Sequence, residues 1–428
     1  MTRERWNETK LLALGSALFA LVFSYPLLGH LGTAGLGRDW NLNLEMAWAT
    51  WDSVTRLHQF PWYQPWVCGG YPIFADPESR ILTPFFLLHL ILGPVVGLHV
   101  EVVAHIAIGF AGAYFLARVL TISPLGAVAC AATFMGSSWY YLHMGVGHVW
   151  ALGYVYAPWI FALFYLSAVT PAAILLALVL YEGSTVYPLP YTVLLLGALA
   201  IILAAERRSL RPFIVFAGIV ALALILSGPK LISMFRTLGG FARPWPADEV
   251  NPPALLVQSL FSRNQNLMRS PPIGSIIPGF WEYGAYISPI FATLAVVGVL
   301  SNFRRALPWL ILSGLLFITA MGAVGRYSPW VQLHHLPFLY EWRVPSRSLI
   351  LVSLCLGVLT GFGTDRLANH KLIAIVLLGA AMLDCWLIGP PSLREALGWP
   401  PPPGVLTASS FNLDQHDIPC EAIRRGTP

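Results

Sequence analysis

A series of long apolar segments, repeated from end to end, constrains what this chain can fold into. Hydrophobic residues make up 57% of the 428 residues and charged residues only 11%, whereas a soluble domain carries about 25% charged residues. So little charge cannot cover a water-facing surface, which nearly excludes a soluble enzyme. Disorder and a disulfide scaffold are also excluded, because the chain is strongly apolar and has only five cysteines.

A helix that spans a bilayer needs roughly 20 mostly apolar residues, and eleven segments approach this length. The sequence therefore predicts an all-α polytopic membrane protein with about eleven transmembrane helices, at 11–29, 99–117, 124–139, 150–168, 171–184, 190–205, 212–228, 285–302, 306–322, 346–363 and 371–388. These helices form one transmembrane domain over residues 1–388, and a short outer tail follows at 389–428.

Lys and Arg residues indicate the direction of insertion, because they collect in cytoplasmic loops. With the N-terminus inside, the inner side holds eleven basic and four acidic residues. The C-terminus is then outside, and the outer loops are 30–98, 140–149, 229–284 and 323–345. The net charge of +5 thus reflects topology, and no basic–aromatic motif predicts a nucleic-acid partner.

The first outer loop, 30–98, carries the densest group of ionisable residues. Apolar residues with helical spacing from Asn41 to Leu57 predict an amphipathic helix on the membrane surface. The apolar run from Ile81 to Leu92 is too short to span and predicts a surface or re-entrant helix. Because the inner loops are minimal, any chemistry is expected on the outer face.

Several motifs in the outer loops resemble a known family. An acidic residue soon after the first helix, in Gly37-Arg38-Asp39, resembles the polytopic glycosyltransferases of superfamily C. A closer likeness, to the bacterial YfhO-type subgroup, is carried by Gly69-Gly70-Tyr71-Pro72, Ala75-Asp76-Pro77-Glu78, Gly147-His148, Tyr156-Ala157-Pro158-Trp159, Ser227-Gly228-Pro229-Lys230, Glu282-Tyr283-Gly284-Ala285-Tyr286 and Arg343-Val344-Pro345-Ser346-Arg347. Members of that subgroup often carry an outer domain, which is expected to be missing or vestigial in a tail of about 40 residues.

The resemblance implies transfer of a sugar from a polyprenyl-phosphate donor to a glycan, lipid or protein acceptor. The reaction would occur at the outer face of a bacterial cytoplasmic membrane, with membrane lipid as a further partner. The acceptor hydroxyl must lose a proton as it attacks the anomeric carbon, which requires a carboxylate base. The leaving phosphate is already a stable anion, so it needs cationic hydrogen-bond donors and no strong acid. The cofactor stays unknown, and a divalent metal stays open.

Asp39 is the candidate base, at the predicted membrane interface next to Arg38. Its alternative roles are to pair with an Arg or to cap the helix that begins near Asn41. Arg343 and Arg347 are candidates for a phosphate clamp, because Arg binds phosphate through two parallel donors and a helix N-terminus favours anions. The alternative for both arginines is anchoring to lipid headgroups.

The loop that follows the first surface helix supplies three further substrate-binding candidates. Asp76 and Glu78 flank Pro77 beside Arg80. They would bind substrate or supply a second carboxylate, and the alternative is a solvated loop with a local salt bridge. No ligand-spacing motif supports a metal site, although four side chains are available as ligands: Asp39, Asp76, Glu78 and His148.

The remaining substrate-binding candidates are Lys230, His148 and Glu282. Lys230 would bind phosphate, unless it snorkels from a helix end to the headgroups. His148 would contact phosphate or sugar, Glu282 would contact substrate or pair with an Arg, and the nearby His143 is expected to be structural. Four ionisable residues lie in or at predicted spans, where such groups usually face a partner inside the bundle: Glu101, His105, Glu182 and Asp384.

Two other classes of function stay open. One is a secondary transporter or lipid flippase, and the other is a non-catalytic membrane scaffold for envelope polymer assembly. Against transport, the two halves show no internal repeat, and the polar groups collect at one face, whereas transport sites lie near the bilayer midplane.

Overall fold

The computed structural model describes residues 3–32, 39–64, 70–238, 246–265 and 279–397. In these ranges the backbone is helical apart from short connections and two isolated β-bridges. The α-helices, in chain order, are α1 (Arg3–Phe23), α2 (Tyr25–Leu28), α3 (Trp40–Thr55), α4 (Phe86–Leu92), α5 (Pro94–Val119), α6 (Pro124–Gly136), α7 (Ser138–Val146), α8 (Ala157–Tyr165), α9 (Val169–Tyr181), α10 (Pro188–Arg207), α11 (Arg211–Leu238), α12 (Pro253–Phe261), α13 (Pro289–Ser301), α14 (Phe303–Ala320), α15 (Pro329–Leu333), α16 (Leu349–Asp365) and α17 (Lys371–Ile388).

The prediction of an all-helical membrane protein is confirmed at the level of the helices. Within the described ranges, six segments are long and apolar enough to cross a membrane: Pro94–Val119, Pro188–Arg207, Arg211–Thr237, Phe303–Ala320, Pro345–Asp365 and Ala368–Arg394. Shorter apolar helical segments are Val149–Tyr165, Val169–Tyr181 and Pro289–Ser301. The total of eleven spans and the direction of insertion stay predictions.

Helix α16 lies at the centre of the bundle, where it packs against α6, α13 and α14. Its contact with α13 depends on two glycines, since a Cβ at Gly363 would overlap the Leu294 carbonyl and one at Gly298 would overlap the Leu359 carbonyl. Small residues allow such close backbone approach between membrane helices. These contacts lie in the C-terminal half of α16, and Arg347 lies in the 3-10 turn Pro345–Ser348 that precedes its N-terminus.

Two predicted outer loops are partly helical. The segment 140–149 is mostly α7, because the chain turns at Ser137 and starts a new helix at once. The segment from residue 229 is helical as far as Leu238, because α11 continues through Pro229. Proline is tolerated inside membrane helices where neighbouring groups satisfy the freed backbone carbonyl.

The first outer loop contains the two helices that its sequence predicts. α3 covers Trp40–Thr55 and packs against α4 and α5, and α4 is a short helix over Phe86–Leu92. Their position relative to a membrane stays a prediction. The described start of the tail, Pro390–Leu397, is a 3-10 helix that packs on α2 and α7. The rest of the tail lies outside the described residues.

Candidate functional site

Asp39 lies at the start of α3, and the end of α7 fixes its position. Its backbone N–H donates to the carbonyl of the last residue of α7 at 3.2 Å. The Asn43 side-chain amide donates to the carbonyls of Asp39 and Gly147, both at 2.9 Å. Gly147 has a φ of +86°, and a Cβ there would overlap the backbone of Trp40. The turn after α7 can therefore carry the next residue, His148, up to Asp39.

The Asp39 carboxylate faces His148 and leaves the N-terminus of α3 uncapped. Its Oδ2 atom lies 3.3 Å from His148 Nε2, and its side chain is 51% exposed. The capping role is thus wrong, and the neighbouring Arg38 lies outside the described residues. Burial raises the pKa of Asp39, but the hydrogen bond and charge of His148 outweigh it, with help from Arg347, and hold the pKa below its ordinary value. This carboxylate is ionised at neutral pH and accessible to solvent.

Glu282 and Arg347 form a buried ion pair beside His148. The Arg347 Nε and Nη2 atoms donate to the two carboxylate oxygens of Glu282, both at 2.6 Å. The guanidinium also lies over the rings of Trp150 and Tyr187, at 4.4 and 4.2 Å from the centroids. His148 Nε2 is 4.0 Å from Glu282 Oε1. Burial raises the pKa of Glu282, but Arg347 and then His148 hold it well below its usual range.

Glu78 and Arg343 complete this group of charges. Burial raises the pKa of Glu78 to about 8, and the nearby carboxylates of Asp76 and Asp39 add to the rise. The positive charges of Arg343 and Arg347 lower the pKa of the same carboxyl, but by less. The Glu78 backbone N–H also donates to Asp76 Oδ1 at 2.6 Å. Glu78 therefore holds a proton at neutral pH, whereas Arg343 is exposed.

We refer to these residues, with His143, as the Asp39 cluster: Asp39, Glu78, His143, His148, Glu282, Arg343 and Arg347. Six of the nine residues predicted for a site belong to it. Both predicted arginines lower the pKa of Glu78, but they differ in their surroundings. Arg347 is buried on Glu282, whereas the Arg343 side chain is exposed. The substrate-binding roles themselves stay predictions.

Lys230 and the loop at 76–80 lie next to the cluster. The Lys230 ammonium is buried and donates to the Ser79 carbonyl, while the Thr185 hydroxyl donates to the Pro77 carbonyl. Snorkelling of Lys230 to headgroups is therefore wrong, because the side chain points into the protein. These contacts hold the loop between α11 and the connection from α9 to α10.

Arg80 leaves the loop in the other direction and enters the bundle. Its guanidinium donates to the Glu101 carboxylate, and to the carbonyls of Glu182 at 2.7 Å and Val149 at 3.4 Å. His89 Nε2 lies 2.9 Å from the second Glu101 oxygen. Arg80 is thus an interior partner of a carboxylate on α5 and lies outside the Asp39 cluster.

The same interior network includes the second predicted span carboxylate, Glu182. His105 Nε2 lies 3.0 Å from Glu182 Oε2, and the Tyr156 hydroxyl donates to Glu182 Oε1 at 2.6 Å. His105 Nδ1 lies 2.8 Å from the Glu101 carbonyl. We refer to this set as the Glu101 network: Arg80, His89, Glu101, His105, Tyr156 and Glu182. It supplies the partners that the sequence left unnamed, and Asp384 pairs separately with the Tyr286 hydroxyl at 2.7 Å.

Two groups of described side chains have ligand atoms close enough to share a metal ion: His143, His148 and Glu282, and Glu101, His105 and Glu182. In the first group both Glu282 oxygens already accept from Arg347, and in the second Arg80 and the histidines occupy the carboxylates. A cation would have to displace these contacts next to an arginine. Both groups therefore fit hydrogen-bonded networks better than metal sites.

Glu249 is a carboxyl group that no motif predicted. Its Oε1 accepts from the Tyr283 hydroxyl at 3.0 Å and from the Asn251 amide at 3.1 Å. Its buried Oε2 has no hydrogen-bond partner among the described residues. Burial raises its pKa to about 7. The charge of Glu282 also raises this pKa, whereas the charge of Arg347 lowers it. Only tertiary packing brings Glu249 toward the Asp39 cluster.

No protein-family model matches this chain, and no curated protein is significantly similar to it. The likeness to superfamily C glycosyltransferases is therefore carried by the quoted motifs alone. A function must then be supported by the geometry and charge of particular side chains, because a fold by itself does not determine one.

Proposed function

We propose that this protein transfers a sugar from a polyprenyl-phosphate donor to an acceptor hydroxyl at the outer face of a bacterial cytoplasmic membrane. The observation that carries the proposal is the Asp39 carboxylate, which is ionised, half exposed and held against His148. A base with these properties is what attack by a hydroxyl requires. Six candidate spans among the described residues provide the membrane setting that a lipid-linked donor needs.

The proposed reaction is a single displacement at the anomeric carbon. Asp39 accepts the proton of the acceptor hydroxyl while the acceptor oxygen bonds to that carbon. The bond from the same carbon to the phosphate oxygen breaks, and the lipid phosphate leaves with the electron pair. Arg343 binds the departing phosphate, where a charge-assisted hydrogen bond is strong. Glu78, which is neutral, adds no negative charge to oppose that phosphate.

The predicted topology supports the same placement. With the N-terminus inside, Arg343 and Arg347 precede α16 on the outer side, and Asp39 follows the first predicted span. A donor whose lipid tail stays in the bilayer would present its phosphate at this level. The Glu282–Arg347 pair would form a rigid, buried side of the site, because both side chains are paired with each other.

Release of polyprenyl phosphate tests the proposal. The wild-type protein in liposomes is given synthetic polyprenyl-phosphate glucose, galactose, mannose or N-acetylglucosamine with a total lipid-linked glycan extract as acceptor. Asp39→Asn is expected to lower release about 100-fold or more, the usual contribution of a general base. The control is Asp365→Asn, at the opposite end of α16, where the carboxylate accepts from the Ser123 backbone N–H.

Asp365→Asn is expected to keep wild-type turnover. If Asp39→Asn also keeps full turnover, the assignment of the base is wrong. If the wild-type protein releases no lipid phosphate from any of the four donors, the proposed reaction is contradicted for these sugars.

A second candidate function, ion-coupled transport, is favoured by the Glu101 network. Glu101 and His105 lie within the apolar segment Pro94–Val119, and both side chains are fully buried. Ionisable groups inside a membrane bundle often mark ion or proton paths. Flux of a polyprenyl-phosphate sugar or of protons in liposomes, lost in Glu101→Gln and kept in Asp39→Asn, would support transport over transfer.

A further inference from the structure

His143 lies behind His148 in the Asp39 cluster. It occupies the last turn of α7 and is buried, and its Nδ1 atom is 2.8 Å from His148 Nδ1. Both imidazole rings contact the indole of Trp150, with centroid distances of 5.4 and 5.3 Å. The indole holds the two rings at hydrogen-bond distance.

The short distance between two ring nitrogens restricts where the protons lie. Two lone pairs facing each other would repel, and two N–H groups would collide, so one proton lies between the Nδ1 atoms of His143 and His148. On its other side, His148 Nε2 faces the Asp39 carboxylate, which can only accept. A bare Nε2 lone pair there would repel the carboxylate, so Nε2 carries a proton.

The groups around the pair keep His143 itself uncharged. Burial lowers the pKa of His143 well below its ordinary value, and the charges of His148 and Arg347 lower it further, against the opposite effect of Glu282. A neutral His143 has one N–H and one lone pair. It can donate from Nδ1 to a neutral His148, or accept at Nδ1 from a charged His148. In both states His148 keeps the proton on Nε2.

We propose that His143 is a positioning residue: its hydrogen bond to Nδ1 holds the His148 ring with the Nε2–H directed at Asp39, and so orients the Asp39 carboxylate. The importance of this orientation for turnover rests on the proposed function, whereas the tautomer of His148 does not. With Oδ2 held by His148, the other oxygen of Asp39 is left to accept the acceptor's proton. Without a partner at Nδ1, the His148 ring keeps its hydrogen bond to Asp39 but loses the second contact that fixes its orientation.

Two substitutions of His143 separate this role from simple packing. In His143→Asn, an amide nitrogen or oxygen lies near the position of the ring Nδ1, so it can donate or accept as His143 does. In His143→Leu, the side chain fills space but offers neither group. His370→Leu is the matched control, because His370 is exposed at the start of α17.

Nitrogen-15 NMR of the histidine-labelled protein in detergent reads the tautomer directly. The His148 signals are assigned by their loss in His148→Gln. We expect wild-type His148 to show a protonated Nε2, and His143→Asn and His370→Leu to show the same pattern. In His143→Leu, Nε2 should stay protonated because Asp39 still faces it, but the His148 Nδ1 signal should shift to that of a nitrogen without a hydrogen bond. A bare Nε2 in wild-type His148 overturns the proposal, as does an unchanged His148 spectrum in His143→Leu.

Turnover of the polyprenyl-phosphate glucose, galactose, mannose and N-acetylglucosamine donors gives the second readout. His143→Leu should lower release about tenfold, the effect of losing one net hydrogen bond in the reacting state, and His143→Asn should recover most of it. Equal release by His143→Leu and wild type overturns the positioning role. If the wild type releases nothing while the spectra change as expected, the proposed function fails and the His143–His148 assignment is supported.

Discussion

Removing one partner of the buried Glu282–Arg347 pair gives a prediction with a calculable magnitude. Arg347→Met leaves the Glu282 carboxylate buried without the two 2.6 Å hydrogen bonds that now satisfy it. Breaking a buried pair in this way costs about 3–5 kcal/mol. An unfolding entropy of about 2.1 cal/mol/K per residue gives roughly 0.9 kcal/mol/K for a chain of this length. The expected fall in Tm is therefore roughly 3–6 °C.

The assay is thermal unfolding of the purified protein in detergent at pH 7, followed by tryptophan fluorescence. Arg343→Met is the matched control, because it removes the same charge four positions earlier from an exposed side chain. Substitutions at such positions usually change stability by less than about 0.5 kcal/mol. The control should therefore shift Tm by less than about 1 °C.

The double variant Glu282→Gln with Arg347→Met removes both charges and should recover most of the lost stability, since the penalty comes from the unpaired carboxylate. The low pKa of Glu282 means that the pair stabilises the wild type above the ordinary carboxyl pKa and loses its effect as pH falls below it. If Arg347→Met is no less stable than Arg343→Met, or the double variant is as unstable as the single one, this reasoning is refuted.

Three further predictions concern the surroundings of Asp39. Gly147→Ala should destabilise the protein by about 2 kcal/mol or more in chemical unfolding, because its φ is +86° and its Cβ would overlap Trp40; Gly314→Ala, which has open space, should be neutral or slightly stabilising. The folded protein keeps a proton on Glu78 up to about pH 8, above the ordinary value of 4.5, so its stability should fall as pH rises across that interval. As Glu78 loses its proton between pH 7 and pH 9, wild-type affinity for a polyprenyl-phosphate glucose donor should decrease in a fluorescence titration, whereas Glu78→Gln should show no such decrease.

The positions of the main helices could be predicted because apolar segments of bilayer length are easily recognised in the sequence. Segments 99–117, 190–205 and 371–388 each fall inside one helix of the structure. The differences lie at the ends of segments. The predicted span ends at residue 228, yet helix α11 continues to Leu238, and α7 was not predicted because it is too short to span.

The candidate site was predictable in its residue types and less so in its contacts. Asp39 was singled out from its place after the first span, but its partner His148 lies 109 positions further along the chain. Glu282 and Arg347 are 65 positions apart, and only packing shows that they pair with each other. Glu249 has no neighbouring motif at all. Such pairings depend on how α7 and α16 pack, which periodicity does not encode.

A cryo-EM structure of Asp39→Asn bound to a polyprenyl-phosphate hexose in a lipid nanodisc would test the proposed reaction most directly. We predict the donor phosphate beside Arg343 and the anomeric carbon facing residue 39, with space for an acceptor hydroxyl about 3–3.5 Å from that carbon. A donor bound beside Glu101, or anywhere remote from both Arg343 and residue 39, would contradict it.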